Sequence, residues 1–373
     1  MTVRKWVGRL NLEDPVRERG SFMVRVGFLW EKIIALENCI EAVKEMMKNK
    51  KHTRRLDYIR KNLGRYGEKL MKLLKSGKWV PKPYREKRIY DKNRKKWRNL
   101  KIPCLVDQAV HHAVMRMLIP MIQARNYFYS CGSIPEKGQK LATNCLKGWQ
   151  KKKKHYKWIM NGDISKFYDH VRYEDVIAAF SRFIKDKRVI DIIWTILKSM
   201  GTTMVGLAIG FFPSPWFGNL VLSSLDRKIK SHPRVKYVRY IDDIRILCNS
   251  KRLIRKIKEE ICEVLQGLHM QLKKDWQIYS GKNRPIHFLS YLFYRGYTVL
   301  RKGLMYRISR KAKHFNDTKV TLQKAMSFMS FKGILKYCNS YNFRKEKVYP
   351  YISSIKLRRY ISHEAKNALL SAT

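Results

Sequence analysis

Val235-Lys-Tyr-Val-Arg-Tyr-Ile-Asp-Asp-Ile-Arg-Ile-Leu-Cys248 is the stretch from which the fold can be worked out. Apolar residues alternate through Val235 and Tyr237, stop at two adjacent carboxylates, and resume at Ile244, Ile246 and Cys248. A period of two on both sides of a short break predicts two β-strands joined by a tight turn that carries Asp242 and Asp243. Like charges at one hairpin tip repel unless a cation lies between them, and hard divalent ions take carboxylate oxygens. A solvated Asp-Asp turn is the plain alternative, since aspartate is a common turn residue.

A second carboxylate site lies upstream in Lys157-Trp-Ile-Met-Asn-Gly-Asp-Ile-Ser-Lys-Phe-Tyr168. Trp158 to Met160 reads as a short buried strand that ends in Asn161-Gly162, with a lone Asp163 after it. A helix with Val176, Phe180, Phe183 and Ile184 on one face is expected after it. A carboxylate at a strand end followed by a helix is where an open α/β sheet places its chemistry. Nothing local pairs Asp163 with Asp242, but two neighbouring strands of one sheet do so readily. Three carboxylates around two divalent ions would serve attack of a 3′-hydroxyl on a nucleoside triphosphate, the ions activating the hydroxyl and neutralising the leaving pyrophosphate.

Composition narrows the partners. The chain has 373 residues, with 81 Lys+Arg against 29 Asp+Glu and a formal charge of +52. Such a charge points to a polyanion. No apolar run reaches the roughly 18 residues of a membrane span, and the first residues lack the apolar segment of a signal peptide. Nucleic acid is therefore the expected partner and a membrane is not. Aromatic residues are interleaved with Lys and Arg in Trp79–Tyr90 and Tyr341–Tyr351. That mixture suits stacking on bases beside neutralised phosphates, although core packing is the simpler role for any single ring. Seven cysteines without a Cys-x-x-Cys pair argue against a disulfide framework or a structural zinc, and fit a reducing cytoplasm.

Along the chain, residues 28–48 are expected to form one helix with Leu29, Ile33, Leu36, Ile40 and Val43 on one face. A hairpin is expected around Asp91-Lys-Asn-Arg94, and a helix over 106–122. Lys151–Lys154 reads as a solvated charge run. Ser250 is placed to cap a helix bearing Ile254, Ile257, Ile261, Val264 and Leu268. Residues 288–300 alternate like a further hairpin, and the tail beyond Gly303 reads as helical and very basic. After Ser290 the only acidic residues are Asp317, Glu346 and Glu364. That is too few for the carboxylate cluster of a ribonuclease H centre.

Taken together these residues resemble a reverse transcriptase over most of the chain. Tyr240-Ile-Asp-Asp243 resembles the family's Tyr-x-Asp-Asp box, and Asp163-Ile-Ser-Lys-Phe-Tyr168 its first catalytic motif. Gly206-Leu-Ala-Ile-Gly-Phe-Phe-Pro-Ser-Pro-Trp-Phe-Gly-Asn219 resembles the motif that lies along template and incoming nucleotide. Lys96-Trp-Arg-Asn-Leu-Lys-Ile-Pro103 resembles the fingers segment, Leu272-Lys-Lys-Asp-Trp-Gln277 the lysine-bearing loop, and Phe288-Leu-Ser-Tyr291 the primer grip, while Val299-Leu-Arg-Lys302 opens the thumb. Within the family the chain is most similar to enzymes of diversity-generating retroelements, or to a related phage-defence enzyme. It departs from the former in Pro215, which stands where that lineage carries Gln, and in Ser290, which stands where the primer-grip box usually has Gly.

The resemblance implies an α+β, right-hand polymerase fold with three parts. N-terminal helices and fingers would occupy 1–157. A palm of antiparallel sheet plus helices would occupy 158–298, with a fingers-derived insertion at about 172–205. A basic helical thumb would occupy 299–373. It implies Asp163, Asp242 and Asp243 as catalytic residues. The same three, with the Ile164 carbonyl, would hold two Mg²⁺ ions, with Mn²⁺ able to substitute. Arg98 and Lys96 would bind the triphosphate, and Tyr168 would exclude a ribose 2′-hydroxyl. Gly210 would admit close backbone approach to the nascent pair, and Lys273 would protonate the pyrophosphate. Ser214, Pro215, Phe288, Leu289, Arg301 and Lys302 would contact template or primer. The implied partners are an RNA template, a DNA or RNA primer, dNTPs and a dedicated non-coding RNA, with a small basic accessory protein or a homo-oligomer left open. The implied setting is the cytoplasm, in a bacterial or phage-encoded system. A non-catalytic RNA-binding scaffold and an RNA-synthesising polymerase remain the alternatives.

Overall fold

The computed structural model describes residues 26–91, 96–151, 156–282, 284–315 and 320–370. The chain begins with helices α1 (Leu29–Ile34), α2 (Leu36–Met47), α3 (Arg54–Lys61) and α4 (Leu63–Lys75). The expected single helix over 28–48 is broken at Ala35, whose ψ of 137° is extended. Asn38 accounts for the break. Its side-chain amide donates to the Ile33 carbonyl at the end of α1 (2.8 Å) and to the Ala113 carbonyl (3.0 Å). Restarting the helix also turns its buried face. Cys39, Ala42, Val43, Met46 and Met47 go inside, while Leu36 stays exposed.

The antiparallel ribbon β1 (Arg85–Asp91) and β2 (Lys96–Ile102) follows, as the hairpin reading predicts, although its tip at 92–95 lies outside the described residues. Helix α5 (Leu105–Arg125) is longer than the expected 106–122. It is followed by α6 (Gly138–Lys151). Most of the Lys151–Lys154 run falls outside the described residues.

Next come β3 (Trp158–Asp163), α7 (Phe167–His170), α8 (Tyr173–Ser181), α9 (Lys187–Lys198), α10 (Ser214–Val221) and α11 (Ser223–Lys230). Of the face expected on the helix after Asp163, Val176 and Phe180 lie in α8, whereas Phe183 and Ile184 are buried in the turn beyond it. Strands β4 (Lys236–Tyr240) and β5 (Asp243–Cys248) form the expected antiparallel hairpin. Helix α12 (Lys251–Gly267) starts at Ser250, whose hydroxyl accepts from the Leu253 amide at 3.2 Å. Its core face is Ile254, Ile257, Ile261 and Leu265; Val264 and Leu268 are only partly buried.

Strand β6 (Gln277–Ser280) completes a four-stranded antiparallel sheet ordered β4-β5-β3-β6. The predicted hairpin at 288–300 is part of a three-stranded meander of β7 (Ile286–Phe288), β8 (Tyr291–Phe293) and β9 (Thr298–Leu300). The basic tail is helical, as expected, in α13 (Lys302–Lys313), α14 (Leu322–Lys336), α15 (Tyr341–Lys347) and α16 (Ser354–Leu370).

The four-stranded sheet is buried on both faces, which explains its apolar runs. Met160, Tyr237, Ile244, Ile246 and Cys248 point into a core shared with α1, α2, α5, α8 and α12. Ile159, Val238, Leu247 and Tyr279 point the other way, into a core shared with α6, the meander and the C-terminal helices. Successive side chains of a strand face opposite sides, so each strand serves both cores in alternation. Among the described residues no helix is long and apolar enough to cross a membrane.

Candidate active site

The sheet brings the predicted carboxylates together. Asp163 ends β3 and is the register partner of Asp243, the first residue of β5. Asp242 sits beside it in the two-residue turn between Tyr240 and Asp243, which are paired in register. The Ile164 amide donates to the Asp242 carbonyl at 3.2 Å, tying the strand end to the turn. In an antiparallel strand a residue's N–H and C=O point to the same side. The Ile164 carbonyl therefore faces the hairpin side. On the other side of β3, the Lys273 amide donates to the Asp163 carbonyl (2.8 Å) and the Ser165 amide to the Gln271 carbonyl (2.9 Å).

Asp163 and Asp243 each have a cation beside them. The Lys273 ammonium stands 2.5 Å from Asp163 Oδ1. Asp243 pairs with Arg245, two residues further along the same face of β5. Burial nevertheless pushes the Asp243 carboxyl up to about 6; Arg245 opposes this, and the charges of Asp163 and Asp242 add to it. Among the described residues no three His, Cys, Asp or Glu side chains already stand in metal-ligand geometry. By chemistry the set still fits a hard divalent cation. It consists of carboxylates whose mutual repulsion is relieved by the neighbouring Lys273 and Arg245, cations that an ion can replace.

Tyr168 lies in α7, half-buried against the core. Burial and then the charge of Asp242 push its phenol well above the usual range. Its carbonyl accepts from the Leu207 amide at 2.7 Å, so the loop before α10 is laid directly on the residue. That loop exposes apolar side chains, namely Met204, Val205, Ile209 and Phe212.

The remaining predicted contacts fall in varied places. Arg98 is on β2 and its Nε donates to Asp91 across the ribbon at 2.9 Å. Lys96 is exposed and is the register partner of the same Asp91. Gly210, at φ 112°, makes its close approach to the Lys101 carbonyl, which a Cβ there would meet at 2.4 Å. Ser214 is buried and its hydroxyl donates to the Ala208 carbonyl at 2.7 Å. Pro215 sits in the first turn of α10, where a missing N–H costs nothing. Phe288 is fully buried. Leu289 turns the chain between β7 and β8 with φ 54°. Arg301 donates its amide to the Ser290 carbonyl at 3.0 Å, and Lys302 opens α13.

Two arginines were not singled out from the sequence. Arg245 donates from Nε to the His287 carbonyl (2.7 Å) and lies over the Phe288 ring (5.1 Å), joining the β4–β5 hairpin to the meander. Arg239 is buried beneath the turn and forms an ion pair with Asp226. Both carried a signal. Each is a cation inside an otherwise apolar strand, a place that tolerates charge only with a dedicated partner.

An antiparallel palm-type sheet with three acidic residues at one end of its two central strands defines a class: nucleic-acid polymerases of the right-hand fold. The family follows from comparison. A family model for reverse transcriptase (RNA-dependent DNA polymerase) matches residues 84–293, and the chain belongs to that family. It is by class an RNA-directed DNA polymerase.

The chain is 25% identical over 277 residues to protein YkfC of Escherichia coli (strain K12), covering 62% of this chain and 71% of that protein. It is 28% identical over 167 residues to the group II intron-encoded protein LtrA of Lactococcus lactis subsp. cremoris, covering 43% of this chain but only 27% of that protein. Among solved structures, apo telomerase from Candida Tropicalis superposes with a TM-score of 0.50 at 12% identity, over 67% of this chain and 53% of that one. This last likeness concerns the fold alone.

Proposed function

We propose that this chain copies RNA into DNA by two-metal nucleotidyl transfer, using a dedicated structured RNA as template in a retroelement or a phage-defence system. The observation that carries the reading is the register pairing of Asp163 with Asp243, with Asp242 in the adjoining turn. Asp163, Asp242, Asp243 and the Ile164 carbonyl would hold the divalent ions, Mg²⁺ or Mn²⁺. Once bound, the ions would stabilise charge on the attacking and leaving oxygens.

The other roles belong to the protein's own residues. Tyr168, laid beside Asp242, would bar a 2′-hydroxyl by its bulk. The exposed Ile209 and Phe212 give the nascent pair an apolar floor. Arg98 and Lys96, on the ribbon, would reach a triphosphate by charge-assisted contacts once Arg98 leaves Asp91. Lys273, already at Asp163, is placed to pass a proton toward the leaving pyrophosphate. Arg301 and Lys302, with Phe288 and Leu289 beneath them, would receive the primer strand. The parts would then be fingers to about residue 157, palm to about 298 and thumb beyond.

The test is primer extension on a defined RNA by the wild type and by Asp242→Asn, with RNA retention measured on the same preparations. Extension by the wild type and none by a folded, RNA-retaining Asp242→Asn is expected. Equal extension by both refutes the catalytic assignment. RNA retention without extension by the wild type on any template favours a scaffold. Sequencing of the co-purified nucleic acid identifies the template, and a heterogeneous RNA pool counts against a dedicated one.

A further inference from the structure

Among the described residues Arg239 is the largest fully buried side chain, at 0% exposure. Every branch of its guanidinium is used. Nε and Nη2 donate to the two carboxylate oxygens of Asp226 on α11, at 2.8 and 2.6 Å. Nη1 donates to Asn219 Oδ1 on α10 (3.0 Å) and to the carbonyl of Ile241 (2.8 Å). Asp226 also accepts from the Tyr237 hydroxyl at 2.7 Å, and the Asn219 amide donates to the Gly132 carbonyl at 2.9 Å.

Ile241, the residue so gripped, precedes Asp242 and has φ 60°. A β-branched residue in the left-handed region is strained and persists only where its surroundings over-determine it. A hairpin turn designed for ease would have Asn or Gly there. From below, Gly132 closes on the same residue: a Cβ on it would meet Ile241 Cγ1 at 2.4 Å and the Ile241 nitrogen at 2.6 Å.

We propose that Arg239 is a positioning residue, whose fork, anchored on Asp226 and Asn219, holds Ile241 in its left-handed conformation and thereby aims Asp242 at Asp163. The proposal rests on the reading of Asp242 as catalytic. An apolar side chain at position 239 would fill the core equally well but would leave the Ile241 carbonyl unheld. The turn would then relax toward negative φ and the Asp242 carboxylate would swing. Lysine would keep the charge opposite Asp226 but offers a single point donor in place of a planar fork.

The experiment compares wild type, Arg239→Lys, the paired Arg239→Met/Asp226→Leu variant, and each of these with Ile241→Gly added. Removing both partners of a buried ion pair is often tolerated by the fold, so the paired variant supplies a folded test if Arg239→Lys does not. In single-nucleotide extension kcat should fall by about 100-fold with the dNTP KM changed little, as expected for a displaced catalytic group. Mn²⁺ binding without substrate, followed by electron paramagnetic resonance, should weaken by about tenfold. Ile241→Gly should restore a large part of both, because glycine enters the left-handed region freely.

Wild-type kcat and Mn²⁺ affinity in a folded Arg239 variant would overturn the proposal, as would a loss that Ile241→Gly does not repair, since a role confined to core packing gives that result. Failure of the wild type itself to extend any primer would instead count against the polymerase reading, with Mn²⁺ binding still reporting on the positioning.

Discussion

Substituting Gly210 by alanine would test the seam between the β1–β2 ribbon and the loop that lies on Tyr168. The new Cβ would stand 2.4 Å from the Lys101 carbonyl oxygen and 3.4 Å from the Lys101 nitrogen, and the residue has φ 112°. The obstacle is backbone, held in a strand, and cannot rotate away. The same strand donates its Lys101 amide to the Ile209 carbonyl at 2.8 Å, and that bond must lengthen if the two segments part. The left-handed backbone costs an L-residue about 1–2 kcal/mol, and a lost internal hydrogen bond about 1 kcal/mol more. We therefore expect Gly210→Ala to be destabilised by about 3 kcal/mol, on the order of 4 °C in melting temperature for a chain of this size.

Gly148→Ala on α6 is the control. Nothing lies within 4 Å of its Cβ, and it should be neutral or stabilised by roughly 0.5–1 kcal/mol. The measurements are thermal melting and single-nucleotide extension, in which the Gly210 variant should also show a raised dNTP KM because Tyr168 carries the displaced loop. A Gly210→Ala protein that melts within experimental error of the wild type would refute the reasoning and show that the ribbon and loop part freely.

Tyr168→Ala should admit ribonucleotides while retaining much of the dNTP incorporation, since it removes bulk and no catalytic group; an unchanged dNTP/rNTP ratio in single-nucleotide extension would return Tyr168 to a packing role. Replacing Lys302, Arg307 and Arg310 of α13 by glutamine should make the salt dependence of template–primer affinity shallower by up to about 0.9 per lost phosphate contact in the log–log slope, without changing base preference; binding that is nearly salt-independent in the wild type would defeat the polyanion reading of the charge. Acid should weaken the fold through α5, where burial holds His111 at about 3 and, with Lys50 and Arg116 adding to burial, His112 at about 4. These histidines are neutral when folded and take up protons near pH 6.5 when unfolded, so stability is full above about 6.5 and falls by up to about 1.4 kcal/mol per pH unit per histidine below it. His111→Leu should flatten that fall, because neither ring nitrogen has a hydrogen-bond partner to lose; a pH profile of melting identical to the wild type would exclude His111 as a source.

Much of the candidate site was legible because its signals are local. Alternation around Asp242 and Asp243 marks strands whatever surrounds them, and Ser250 caps α12 through a contact only three residues away. The single helix expected over 28–48 failed for the opposite reason. Its break depends on Asn38 reaching the Ala113 carbonyl of α5, a partner 75 residues distant. Gly210, expected to let backbone approach the nascent pair, lies in close approach to the Lys101 carbonyl, a contact with no local signal. Arg239 and Arg245 were visible as cations in apolar strands, yet their partners on α11 and in the meander have no sequence signature.

By itself the sequence determined that one carboxylate follows a strand and two sit at a hairpin turn of an α+β polymerase, and that the chain around them is strongly basic, because period, turn chemistry and charge are properties of short segments. Only the tertiary structure decided which groups meet. It paired Asp163 with Asp243, set Lys273 and Arg245 against them, and locked the strained turn at Ile241 with an arginine buried between two helices. The pairing of Asp163 with Asp243, the approach of Lys273 and the anchoring of Arg239 on Asp226 and Asn219 join residues well apart in the chain, and they form only where packing both faces of one sheet into two cores brings their strands and helices together.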